Sequence, residues 1–176
     1  MENSDLLIHE PFIQKCLELA ISSGKKGNHT FGAVLVYQGK MIDSAENTEV
    51  NGQGFGHAEY NLLMQSIAAF PEEMLRECIL YTSTFPCPRC MCAILALGIP
   101  EVVYSVSSEA FARLVPGEFR PLNWGAIFQQ MGLRVELNGP IMEEQGMRVF
   151  EYWDGKSISL ESLLEFAKKA RIKEDE

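Results

Sequence analysis

The residues of this chain best suited to chemistry are His57-Ala58-Glu59 and Pro86-Cys87-Pro88-Arg89-Cys90. A histidine and two thiolates fill three corners of a zinc tetrahedron and leave the fourth to water. Zinc lowers the pKa of such a water until hydroxide forms near neutral pH. Glu59, two residues after the histidine, is placed to move protons between that water and a substrate. The expected metal ligands are therefore His57, Cys87 and Cys90, holding one zinc per chain, and the expected acid–base is Glu59. A closed structural site with Cys92 or Cys78 as fourth ligand would leave Glu59 without a task. A redox CxxC pair would leave His57-Ala58-Glu59 to coincidence. His9 and His29 read as polar surface, and Cys16, Cys78 and Cys92 as core packing.

These residues must be held by ordered elements. Apolar residues at Phe12, Ile13, Cys16, Leu17, Leu19 and Ala20 predict a helix from Phe12 to Ser22, with Pro11 suited to its first turn. Phe31 to Tyr37 and Met41 to Ala45 flank Gln38-Gly39-Lys40 and predict a β-hairpin. Next comes a helix from about Ala58 to Ala69, its inner face supplied by Leu62, Leu63, Ser66 and Ile67 and its end set by Pro71. A strand is expected at Ile79 to Ser83, a helix at Pro88 to Leu97 and a strand at Val102 to Val106. A helix at about Asn123 to Met131, a strand at Leu133 to Leu137 and a helix at Glu161 to Ile172 complete the pattern.

Strands alternating with helices predict an α/β fold, a three-layer α/β/α sandwich with a mixed central sheet. Both halves of the metal motif then lie at helix N-termini, where free N–H groups and the helix dipole favour thiolates. Cys87 and Cys90, three apart, share one helical face. Pro88 falls where its missing N–H costs nothing.

The 176 residues are expected to form a single domain, 1–176, with a C-terminal helical segment at about 140–176. A net charge of -9 argues against nucleic acid as the main partner, since phosphate binding needs a basic face. The one basic cluster, Lys168, Lys169, Arg171 and Lys173, reads as a solvated helix end. No apolar run is long enough to span a bilayer. Met1-Glu2-Asn3-Ser4-Asp5 is unlike a secretory signal, so a cytoplasmic protein is expected, with no membrane partner.

At the metal motifs the sequence resembles the cytidine/deoxycytidylate deaminase superfamily. It is most similar to the purine-type branch of guanine deaminases, guanine/ammeline deaminases and tRNA adenosine deaminases. The resemblance runs from about Pro11 to Trp153 and includes Phe31-Gly32-Ala33-Val34, Glu46-Asn47, Leu80-Tyr81-Thr82-Ser83 and Val102-Val103-Tyr104. It implies a cytidine deaminase-like fold, a homodimer, and a zinc-dependent aminohydrolase acting on a small nucleobase or nucleoside, guanine first. By position it implies that Asn47, ten residues before His57, hydrogen-bonds the base and that the Ala58 backbone contacts a substrate carbonyl. Asn47 has a second reading as a turn residue after a strand. Phe31 has two readings, ring stacking and core packing. Glu118 falls where guanine deaminases carry a second acidic residue of the proton shuttle; its other reading is an exposed loop glutamate. Trp124, within Pro121-x-Asn123-Trp124, either covers the pocket or anchors the C-terminal helix.

Three positions depart from the family pattern: Thr30 replaces a proline, Phe85 replaces a glutamate, and Arg89 stands where small or apolar residues are common. Arg89 either presents a cation at the pocket mouth or points to solvent. Two rival functions remain, a tRNA adenosine deaminase, which needs a basic surface and an extruded base, and a catalytically silent zinc-binding subunit.

Overall fold

Gln38 and Gly39 both adopt positive φ, 48° and 73°. That is the turn geometry whose twist matches the strands of a two-residue hairpin. The turn joins β1 (Gly32–Tyr37) to β2 (Lys40–Glu46) in antiparallel register, with Tyr37 opposite Lys40. The structure is a computed structural model that describes residues 7–49, 55–115 and 121–174. β3 (Cys78–Thr84) pairs antiparallel with the other edge of β1 and parallel with β4 (Glu101–Val106), which pairs parallel with β5 (Glu136–Asn138). The order is β2-β1-β3-β4-β5, a mixed sheet as the sequence predicts.

The central strands are apolar on both faces, which a sheet covered by helices on each side requires. Ala33, Leu35, Leu80 and Val102 pack with Ala58, Leu62 and Leu63 of α2 (Ala58–Ala69) and with Met91 and Ile94 of α4 (Pro88–Leu97). Trp124 and Phe128 of α6 (Trp124–Met131) complete that layer. On the other face, Val34, Val36, Tyr81 and Val103 pack against Ile13, Cys16, Leu17 and Ala20 of α1 (Glu10–Lys25). Val149 and Phe150, from the 3-10 helix Val149–Gly155, join this second layer. Each buried Val, Leu, Ile, Phe or Met among them contributes about 1.5–3 kcal/mol by leaving water. α1 lies so close to the sheet that a Cβ on Gly32 would stand 2.3 Å from the Cys16 carbonyl oxygen.

The helices over the metal motifs match expectation, and five details differ, the first being that His9, expected at the surface, is buried with its Nδ1 2.9 Å from the Tyr81 hydroxyl. Ile67 is exposed on the outer side of α2, while Leu62, Leu63 and Ser66 face inward. Cys92 is exposed on α4; only Cys16 and Cys78 of the three remaining cysteines are core residues. The last strand begins at Glu136, not Leu133, because the residues before it cap α6. Gly132 is left-handed there, and the Leu133 N–H returns to the Phe128 carbonyl at 3.1 Å. Short helices at α3 (Glu72–Leu75), α5 (Ser108–Phe111) and α7 (Glu143–Arg148) fall below the length that periodicity detects. α8 (Leu160–Glu174) follows the 3-10 helix. No helix among the described residues is long and apolar enough to cross a membrane.

Candidate active site

His57 and Cys87 are the N-cap residues of α2 and α4, with extended backbones at φ -64°, ψ 143° and φ -65°, ψ 163°. An N-cap side chain stands at the open end of its helix, beside the unpaired N–H groups of the first turn. β3 ends at Thr84 and delivers the chain to Cys87 within three residues, so both helix ends meet at the carboxyl end of the sheet. This is where open α/β sheets bind ligands.

His57 Nδ1 lies 3.4 Å from Cys87 Sγ and 3.5 Å from Cys90 Sγ, and the two sulfurs are 3.7 Å apart. A tetrahedral zinc ion with ordinary bond lengths has N–S edges of about 3.6 Å and S–S edges of about 3.8 Å. The three donors therefore fit zinc, and they form the metal-capable His/Cys group among the described residues. Hydrogen bonding from the Cys90 thiol, aided by His57, holds Cys87 down to about 3. Cys90 is pushed up by that same shared proton and by burial. The Cys87 thiolate beside His57 raises the imidazole above its ordinary value.

Glu59 stands in the first turn of α2 and is buried. Its Oε1 accepts a hydrogen bond from Thr82 Oγ1 at 2.7 Å. Burial pushes the carboxyl above its ordinary range, and the Thr82 hydrogen bond opposes part of that rise. A carboxyl poised in this way can both take and return a proton.

The cleft in front of these groups has a volume of about 250 Å³, small for a drug-sized ligand. Its walls are aromatic. Phe31 lies edge-on to Trp153 at 5.7 Å, and Trp153 stacks on His29 at 4.7 Å with a 19° interplanar angle. Trp124 and Phe85 also line it, Phe85 being edge-on to Tyr104 at 5.0 Å. Phe31 lines the cleft and also packs against Phe111 and Phe150. Trp124 lines the cleft and is nearly buried in the core.

Asn47 and Ala58 are fully buried beside the cleft and not among its lining residues. Asn47 Oδ1 accepts from the Glu49 N–H at 2.7 Å, while Nδ2 is buried with no hydrogen-bond partner. Glu118 lies outside the described residues. Arg89 lines the cleft, with its guanidinium 3.0 Å from His57 Nε2 and over the Phe55 ring.

Sequence reasoning missed several lining residues, three of which shape the site most directly. His29, read as polar surface, is a cleft wall. Glu49 reaches to 3.3 Å from His57 Nε2. Trp153 arrives from the 3-10 helix, a distant part of the chain. A histidine and a glutamate flanking the hairpin, and a tryptophan in a short aromatic run, carry no spacing signal of their own.

The profile of the cytidine and deoxycytidylate deaminase zinc-binding region matches residues 7–106. The chain is similar to a probable cytosine deaminase of Schizosaccharomyces pombe, 29% identical over 150 residues that cover 82% of this chain and 91% of the relative. It is similar to a guanine deaminase of Bacillus subtilis, 34% identical over 99 residues that cover 55% of this chain and 64% of the relative. A solved guanine deaminase from Nitrosomonas europaea shares the fold at TM-score 0.62 and 22% identity, covering 80% of this chain and 82% of that one. A tRNA:A34 deaminase structure shares it at TM-score 0.66 and 23% identity, covering 80% and 99%. With its own His/Cys/Cys group at the matched helix ends, the chain belongs to the cytidine and deoxycytidylate deaminase family.

Proposed function

We propose that this chain is a zinc-dependent aminohydrolase of free nucleobases, with guanine as substrate. The observation that carries the chemistry is the buried Glu59 carboxyl beside a His57/Cys87/Cys90 group of zinc dimensions. Zinc held there supplies a Lewis acid that brings the pKa of water close to neutrality. The net reaction is guanine plus water to xanthine plus ammonia. Glu59 takes a proton from the attacking water and passes it to the ring nitrogen beside the aminated carbon, then takes the proton of the newly bound hydroxyl and gives it to the departing amine as the C–N bond breaks. Thr82 fixes one Glu59 oxygen throughout.

Asn47 orients the base. Its Oδ1 is occupied by the Glu49 N–H, so the Nδ2–H group is the face offered to a ring-nitrogen acceptor of the base. The Ala58 backbone meets the substrate carbonyl, and Phe31, Trp153 and Trp124 close around the ring. The small aromatic cleft favours one flat heterocycle over a nucleotide. The similarity to the Bacillus guanine deaminase supports guanine. The length of the match to the yeast cytosine deaminase supports cytosine as the second reading. The net charge of -9 opposes a tRNA substrate. The working enzyme is a homodimer with one zinc per chain.

The test is ammonia release by zinc-loaded protein from guanine, cytosine, adenine, their nucleosides and tRNA. Guanine is expected to give the highest kcat/KM. Preference for cytosine would establish the second reading, and ammonia from tRNA alone would overturn both.

A further inference from the structure

Two side chains approach the outer nitrogen of His57, and only one can serve it when the inner nitrogen binds metal. His57 Nδ1 faces the two sulfurs, so a metal there takes the Nδ1 lone pair and leaves the ring proton on Nε2. Nε2 must then donate. Arg89 Nη2, at 3.0 Å, is a donor and has no lone pair to offer. Glu49 Oε2, at 3.3 Å, is an acceptor.

The geometry points to Glu49 as the positioning residue of the metal site, accepting the Nε2 proton of His57 and aiming Nδ1 at the ion. Glu49 is almost entirely buried, so its carboxylate does not wander in solvent. Its backbone N–H is tied to Asn47 Oδ1. The two arms of the loop that carries it are clamped by Asn61 of α2, whose Nδ2 approaches the Glu46 carbonyl, Thr48 Oγ1 and the Gly56 carbonyl at 3.0, 3.0 and 3.2 Å. Gly56 makes that approach possible, since a Cβ there would stand 2.7 Å from the Glu49 nitrogen. The helix that is capped by His57 thus also holds the loop that carries the partner of His57. The same Glu49 oxygen lies 3.7 Å from His29 Nδ1, on the aromatic wall of the cleft. A carboxylate on the far nitrogen of a ligating histidine fixes the tautomer and ring angle and makes the ligand more basic.

This inference rests on the triad holding zinc, and the experiment separates the two. Chelator-stripped full-length protein is titrated with zinc against a chromophoric competitor, alongside Glu49→Ala, Glu49→Gln and the exposed-site control Glu73→Ala. Wild type and Glu73→Ala are expected to bind alike, and Glu49→Ala about 10–100-fold more weakly. Glu49→Gln, which keeps an oxygen acceptor without the charge, is expected to fall between them. The visible spectrum of the cobalt(II)-loaded protein, which reports the ligand set, is expected to change in Glu49→Ala while the metal-free melting temperature does not. Should Glu49→Ala fail to fold, Glu49→Gln carries the comparison. Wild-type zinc affinity and an unchanged cobalt spectrum in the folded variants would overturn the assignment. A wild-type chain that binds no zinc would overturn the metal site itself, and this inference with it.

Discussion

Thr82 on β3 donates its hydroxyl to Glu59 Oε1 on α2 across 2.7 Å, tying the proposed acid–base to the central strand of the sheet. The Thr84 carbonyl oxygen is a longer alternative acceptor for that hydroxyl, at 3.1 Å. The single hydroxyl proton serves the shorter contact to the carboxylate. Thr82→Val preserves the shape and removes the donor. A hydrogen bond to a charged group contributes about 1.5–3 kcal/mol, so kcat/KM at neutral pH is expected to fall about 10–100-fold. Losing a donor to the carboxylate raises the Glu59 pKa further, so the acid limb of the pH–rate profile should move to higher pH. An unmoved limb in Thr82→Val, with activity retained, would show that the hydroxyl does not set the state of Glu59.

Glu59 also affects stability. Burial holds its carboxyl above the ordinary 4.5. Between that value and its own raised one, the folded chain keeps a proton that the unfolded chain has lost. Wild-type stability from this group therefore declines as pH rises through that window. Glu59→Gln removes the decline. In the presence of chelator the variant is expected to melt above wild type at neutral pH, with the difference closing below pH 4.5. Thermal melts across pH check this, and a lower melting temperature for Glu59→Gln at neutral pH would contradict it.

Zinc uptake should release protons. The metal-free site keeps a proton on Cys90, and His57 is raised by the Cys87 thiolate. Both groups must be unprotonated at their donor atoms to bind an ion. Apparent zinc affinity is expected to rise by at least about tenfold per pH unit from about pH 6 to 8, one proton per unit of slope. Calorimetric titrations in buffers of different ionisation enthalpy count the protons. An affinity independent of pH would contradict the ligand set.

The 3-10 helix separates core from cleft within four residues. Phe150 is fully buried, whereas Trp153 faces the cleft and stacks on His29. Phe150→Ala is expected to cost about 3–5 kcal/mol of stability. Trp153→Ala should leave most of the stability intact and raise KM about tenfold, since stacking on an aromatic wall contributes about 1–3 kcal/mol per base. Denaturant melts and steady-state kinetics on the two variants distinguish these effects.

The metal group was legible in the sequence because each half of it is local. Pro88, the Cys87/Cys90 spacing and the apolar pattern to Leu97 define one helix end, and His57 begins another. The mixed sheet followed from strands alternating with helices. The cleft was not legible in the same way. His29 becomes a wall only because Trp153, more than a hundred residues later, stacks on it. Glu49 becomes a partner of His57 only because Asn61 clamps the loop arms together. These are tertiary facts with no periodic trace. The exposed side of Cys92 and Ile67 shows the complementary error, in which an apolar residue type outweighed its position around the helix.

The most direct measurement pairs zinc content with ammonia release from guanine in wild type and Glu59→Gln. The account predicts one zinc per chain in both proteins, with turnover in wild type and a loss of about 10²–10⁴-fold or more in the variant. A zinc-loaded Glu59→Gln as active as wild type would contradict the assignment of Glu59 as the proton carrier. A zinc-loaded wild type silent on guanine and on every other aminated base would contradict the enzyme itself.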